Sequence, residues 1–112
     1  MAITVTPHPK RVRVRFNGRT VADSTRALAL REDGHATVLY LPRADAEPGL
    51  LTRSSRTSHC PHKGDAAYYS LAVDGRSAEN AAWTYETPRP ELAAIAGHLA
   101  FYPDRVDAIE EG

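Results

Sequence analysis

Six residues near the N-terminus constrain the fold most. Arg11-Val12-Arg13-Val14-Arg15-Phe16 alternates strictly between charged and apolar side chains. A period of two puts Val12, Val14 and Phe16 on one face of a strand and the three arginines on the other. Asn17-Gly18 follows at once, and this dipeptide supplies the left-handed residues of a tight hairpin turn. A partner strand is therefore needed. It is expected to start at Arg19, run through Val21, kink near Asp23-Ser24 and continue to Leu30. The alanines and leucines of that stretch also suit a helix, but the hairpin requires a strand.

The rest of the chain reads as short strands between turn residues. Ala36–Leu41 is a strand stopped by Pro42, and residues 43–49 form a loop with room for one helical turn at 44–47. Residues 50–56 are polar and extended. Ala66–Val73 is rich in β-formers and ends at the turn Asp74-Gly75. A further short strand covers 81–86. Thr87-Pro88-Arg89-Pro90 breaks the pattern, and 91–96 suits one short helical segment closed by Gly97. Residues 98–102 and 105–109 read as a last pair of strands around Pro103-Asp104. The fold class expected is mainly β, with two packed antiparallel sheets. Residues 1–10, with two prolines and little pattern, read as an N-terminal arm, and 11–112 as one domain.

Composition enters by what it excludes. Fourteen basic and fourteen acidic residues balance, so no global field recommends nucleic acid or an anionic membrane as a partner. The single cysteine forms no internal disulfide and no multi-cysteine zinc site, which fits a reducing cytoplasm. No stretch approaches the ~20 apolar residues of a spanning helix, and the N-terminus lacks a signal-peptide run. A cytoplasmic protein is expected.

That cysteine lies in Thr57-Ser58-His59-Cys60-Pro61-His62-Lys63-Gly64. If Cys60 and Lys63 face one cavity, the ammonium favours the nucleophilic thiolate, which makes them the candidate catalytic pair. A small cysteine filling a gap in the core would explain the same residues. His59 and His62 invite a metal reading, with His35, His98 or Glu32 as a distant ligand. Adjacent His59 and Cys60 point to opposite sides of an extended segment, and zinc ligands are normally spaced by two to four residues, so no metal and no cofactor is expected. Trp83 and Tyr85 share one strand face, as do Ala66, Tyr68 and Ser70, while Tyr69, Leu71 and Val73 take the other. Facing sheets carrying Tyr40, Tyr68, Trp83 and Tyr85 build either a flat-walled cavity or an ordinary aromatic core. Glu32, at the end of an apolar strand, suits an ion pair with Lys63 or a turn role better than catalysis, because nothing completes a mechanism. The arginine stripe is accounted for by protection of an exposed strand.

Taken in order, Val21-Ala22-Asp23-Ser24, Glu32, Tyr40-Leu41-Pro42 with Asp45, Cys60-Pro61-His62-Lys63-Gly64, Ala66, Tyr68, Ala82-Trp83-Thr84-Tyr85 and Ala100-Phe101-Tyr102 form a set. The set resembles the bacterial domain-of-unknown-function family four-twenty-seven, from about Arg13 to Val106. The resemblance implies a β-tent, two antiparallel sheets meeting at a steep angle as in the thalidomide-binding domain of cereblon. Cereblon-type relatives hold a zinc with four cysteines, which one cysteine cannot supply. Some classifications label the family nucleotidyltransferase-like, but this chain has no Gly-rich phosphate loop or paired-aspartate strand.

The function expected is a small-molecule binding module. Glu32, Tyr40, Tyr68, Trp83 and Tyr85 are its candidate ligand-binding residues, and an anionic or carbonyl-bearing compound is the expected ligand. The alternatives are a thiol-dependent enzyme, with Cys60 as nucleophile or redox group and Tyr68 as proton donor, and a domain that captures peptides or proteins.

Overall fold

In the hairpin turned by Asn17-Gly18, β2 (Val12–Phe16) pairs with β3 (Arg19–Ser24). Asn17 and Gly18 turn at φ 49° and 79°, so both central residues are left-handed as the dipeptide requires. Val12, Val14 and Phe16 are at most 1% exposed. A bulge between Val14 and Arg15 leaves Val21 without a partner across the ladder. Two neighbours in sequence, Val21 and Ala22, are thereby both buried. On the other face, Arg11 donates to both carboxylate oxygens of Asp23 at 2.7 and 2.5 Å, and Arg13 stands opposite Asp23 and Glu110. The computed structural model describes residues 2–112.

The long second strand expected over 19–30 is two strands in different sheets. Ser24 ends β3: its hydroxyl donates to Asp45 at 2.6 Å and accepts the Arg26 N–H at 3.0 Å. The chain then crosses over and resumes as β4 (Leu28–Glu32) between β1 (Ile3–Pro7) and β5 (Val38–Tyr40). Residues 3–7, read as part of an arm, are thus an edge strand in register with β4 from Ile3–Glu32 to Pro7–Leu28. Three longer strands, β6 (Leu51–Cys60), β7 (Gly64–Val73) and β8 (Arg76–Tyr85), form a meander closed by β9 (Leu99–Phe101). Asp74-Gly75 makes the β7–β8 turn at φ 48° and 84°. The last two strands do not pair with each other. Beyond Pro103 and the turn closed by Arg105 N–H to Tyr102 C=O, the chain leaves β9, and β10 (Ala108–Glu111) joins the free edge of β2.

The protein is mostly β, and its strands fall into three antiparallel ladders rather than two: β1-β4-β5, β10-β2-β3 and β6-β7-β8-β9. The first and third touch through one bridge, in which Leu41 and Leu99 exchange backbone hydrogen bonds of 2.8 and 2.7 Å. Among the described residues helical structure is confined to 3₁₀ segments at Arg43–Asp45, Pro48–Leu50 and Pro90–Ile95. No helix among the described residues is long and apolar enough to cross a membrane.

Both faces of the four-stranded sheet are covered. Tyr69, Leu71 and Val73 of β7 enter a largely aliphatic core with Val14, Phe16 and Leu99. Ala66 and Tyr68 of the same strand enter a second core with Tyr40, Tyr85, Leu92 and Ile95, against which Cys60, Trp83 and Tyr102 pack. The alternation read from the sequence of β7 therefore sorts its side chains between two cores.

Candidate functional site

The second core is incomplete, and a cavity of about 380 Å³ remains beside it. Five elements supply most of its walls. β4 ends in Glu32, β5 ends in Tyr40, the β6–β7 turn presents Lys63, and Tyr68, Trp83 and Tyr85 project from adjacent strands. In the β7–β8 ladder Tyr68 lies directly across from Trp83, which is why these two aromatics share a wall.

The β6–β7 turn is held firmly. Lys63 N–H donates to the Cys60 carbonyl at 3.2 Å, and Arg89 N–H donates to the Lys63 carbonyl at 2.9 Å. Gly64 has φ 122°, and a Cβ there would stand 3.3 Å from the Thr87 carbonyl oxygen, so both conformation and space favour glycine. Lys63 reaches across to Glu32, its Nζ donating to Oε1 at 2.8 Å, with side chains only 13% and 8% exposed. The bond from Lys63 holds the Glu32 carboxyl below its usual range and outweighs the opposing effect of desolvation. The charges of Lys63, His35 and His62 act in the same direction.

The phenols differ among themselves. Burial pushes Tyr40 up to about 12, although the Trp83 indole N–H donates to its hydroxyl at 3.2 Å. Burial likewise raises Tyr85, with Tyr40 and Cys60 beside it adding to the effect. Tyr102 is raised to about 12, by burial and then by its contact with Tyr68. Tyr68 goes the other way. Burial acts to raise it, but its hydrogen bonds with Ser58, at 2.8 Å, and Tyr102, together with the Arg56 guanidinium, bring it below the ordinary value. Arg56 lies 4.9 Å over the Tyr68 ring. Trp83 stands edge-on to Tyr40 at 6.2 Å and tilted against Tyr102 at 4.4 Å.

Every candidate ligand-binding residue named from the sequence, namely Glu32, Tyr40, Tyr68, Trp83 and Tyr85, lines this one cavity together with Lys63. Cys60 is not among the lining residues. It is half-buried against the aromatic core, with Sγ 3.8 Å from Lys63 Nζ. The sequence reading named His35 only as a distant metal ligand and Tyr102 only within the family set, and assigned neither to the cavity that both line. The period-two alternation that pairs Ala100 with Tyr102 was the available signal for the second. His59 is turned outward onto exposed Asp65, with Nδ1 and Oδ1 2.7 Å apart. Among the described residues no three His, Cys, Asp or Glu side chains are grouped to hold a metal ion.

A family model described as a domain of unknown function, DUF427, matches residues 4–112. The chain is a member of DUF427. The match takes in every strand, short only of Ile3 in β1, and every residue of the cavity, so the site belongs to the family domain. No curated protein matches the chain. The name of the DUF427 model carries a nucleotidyltransferase label. The cavity lends that label little support: Lys63 is the one lysine or arginine lining it among the described residues, and Glu32 already neutralises it.

Proposed function

We propose that the cavity binds a small, neutral, carbonyl-bearing molecule. The observation that carries this reading is the Glu32–Lys63 pair, closed on itself at 2.8 Å in a space whose other walls are tyrosines, Trp83, His35 and the aliphatic Leu30, Ala36 and Val38. An anion would have to share the Lys63 ammonium with the mostly buried Glu32 carboxylate, and the two negative charges would repel each other there. A neutral ligand leaves the pair intact. Tyr40, Tyr85 and Tyr102 are raised above the ordinary phenol value and stay protonated at neutral pH, so each offers an O–H donor. Tyr40 already accepts the Trp83 N–H, which leaves its own proton free for a ligand carbonyl. Trp83 and Tyr102 supply an aromatic surface, and a volume of about 380 Å³ suits a compound of modest size. Thiol chemistry at Cys60 has less support, because the thiol stands behind the cavity lining and its nearest cation is bound to Glu32.

Trp83 is the only tryptophan, so its fluorescence reports this wall alone. Titration with a panel of neutral amides, lactams and imides, alongside matched carboxylates, is expected to give a saturable change for neutral members. Tyr85→Phe, which removes one donor, should weaken that binding by about tenfold. Saturation by the carboxylates alone, or by no compound, would overturn the reading.

A further inference from the structure

A second cavity, of about 450 Å³, adjoins the first and differs from it in chemistry. Its walls include Val14, Leu39, Leu41, Phe101, Pro103 and Ile109, from three different ladders. Among all its lining residues the only ionisable side chain is Glu111, whose carboxylate is held 2.7 Å from His8 Nε2. The two cavities share part of their lining. Ala36 and Val38, from the connection between β4 and β5 and from β5 itself, line both, and so does Trp83. The indole N–H is directed to Tyr40 of the first cavity. The Trp83 ring is therefore a wall held in common between a hydroxyl-rich compartment and an apolar one.

We infer that the ligand of this site is amphipathic, with a neutral carbonyl head among the tyrosines and an unbranched apolar tail running past Trp83 and Val38 into the second cavity. This inference rests on the proposed function and narrows the class of ligand. Leu39 and Ile109 are only partly buried, so they retain apolar surface for the tail to cover. Val14 and Leu41, almost fully enclosed, form the rigid side of the compartment. A head group alone leaves this surface wet. A second polar group at the far end would meet Leu39, Phe101 and Ile109 with no donor among them, and would lose its hydrogen bonds to water.

The test is a homologous series of primary amides from acetamide to octanamide, titrated against the intact protein by Trp83 fluorescence. Affinity is expected to rise about threefold to fourfold with each added methylene until the compartment is full. Ile109→Asp should flatten that rise and leave the affinity for acetamide unchanged. Thr37→Asp should do the same from an exposed position on the rim, where folding is not at stake. A flat series in the unmodified protein, with acetamide still bound, would end the inference and leave the carbonyl-binding reading standing. A rise that neither variant alters would place the tail elsewhere and also end it. A second copy of the chain as the natural cover of Ile109 would show as a change of oligomeric state in Ile109→Asp with the slope untouched, which overturns the inference as well. No response to any amide would remove both readings together.

Discussion

The two faces of the β6–β9 sheet share a backbone and hold opposite kinds of core. On one, Val14, Phe16, Leu71, Val73 and Leu99 are packed with at most 1% exposure. On the other, Tyr40, Tyr68 and Tyr85 bring a hydroxyl each, and the packing leaves about 380 Å³ unfilled. The first face contributes mainly apolar area, with Tyr69 bringing the one phenol of that core. The second gives up close packing and gains O–H groups aimed at a shared space. Stability and recognition are thus divided between two sides of a single sheet. The sharpest way to break this division is to damage one side only. Phe16→Ala removes a ring that is 1% exposed and lies under the Arg76 guanidinium at 4.5 Å. It should cost about 3–5 kcal/mol of unfolding free energy in urea titrations. A loss below about 1 kcal/mol would mean that the aliphatic face can collapse around a void, and the distinction between the two cores would fail.

The aromatic face has a weakness of its own, and it appears at alkaline pH. The Tyr40 hydroxyl ionises at 10.0 in an ordinary setting and is pushed up to about 12 in the fold, chiefly by burial. Above pH 10 the unfolded chain therefore releases a proton that the folded chain keeps. Stability from this group is complete below pH 10 and falls as pH rises toward about 12. The shift corresponds to a loss of about 2–3 kcal/mol. Tyr85, raised by the same cause, adds to the loss in the same direction. Equilibrium unfolding followed across that range should show the decline, and Tyr40→Phe should make it shallower. If Tyr40→Phe leaves the alkaline slope unchanged, the hydroxyl is wet in the folded state and this side is less of a core than its geometry indicates.

What could be read from the sequence follows the same division. The aliphatic side was legible because its information is local. Val12, Val14 and Phe16 alternate, Asn17-Gly18 and Asp74-Gly75 admit few conformations, and β7 sorts its own side chains by a period of two. Crossings between sheets were not legible. Ser24 ends a strand by binding Asp45, 21 residues away, and a kinked strand and a terminated one look alike until that partner is in place. Pro103 gave a similar ambiguity, since a turn joining two paired strands and a connection leading to another sheet use the same residues. The cavity shows both outcomes. Trp83, Tyr85 and Tyr68 came from strand periodicity, and Lys63 with Glu32 from the family resemblance and charge. Tyr102, named only within the family set, was not assigned to the cavity because its place there depends on β9 lying beside both β8 and Leu41.

A smaller effect sharpens the comparison at the polar end of the cavity. Glu32 titrates below its ordinary 4.5 because Lys63 donates to it. As pH falls below 4.5 the unfolded carboxyl takes up a proton while the folded one resists. The contribution of the pair is therefore present above that pH and lost as pH drops through the lower folded value. Glu32→Gln should remove this acid dependence and cost about 1–2 kcal/mol at neutral pH, because Lys63 keeps its charge and loses its best acceptor. The double variant Glu32→Gln with Lys63→Met should recover part of that cost, since no charge is then left unpaired. Glu32→Gln also leaves the cavity with net positive charge, so carboxylates excluded by the native protein should begin to alter Trp83 fluorescence. If Glu32→Gln instead melts like the native protein at every pH, the pair is worth no more than exposed Arg53–Glu86, whose side chains are each about half exposed. In that case the hydroxyls and the indole, not a protected ion pair, would be what sets the aromatic face apart from the aliphatic one.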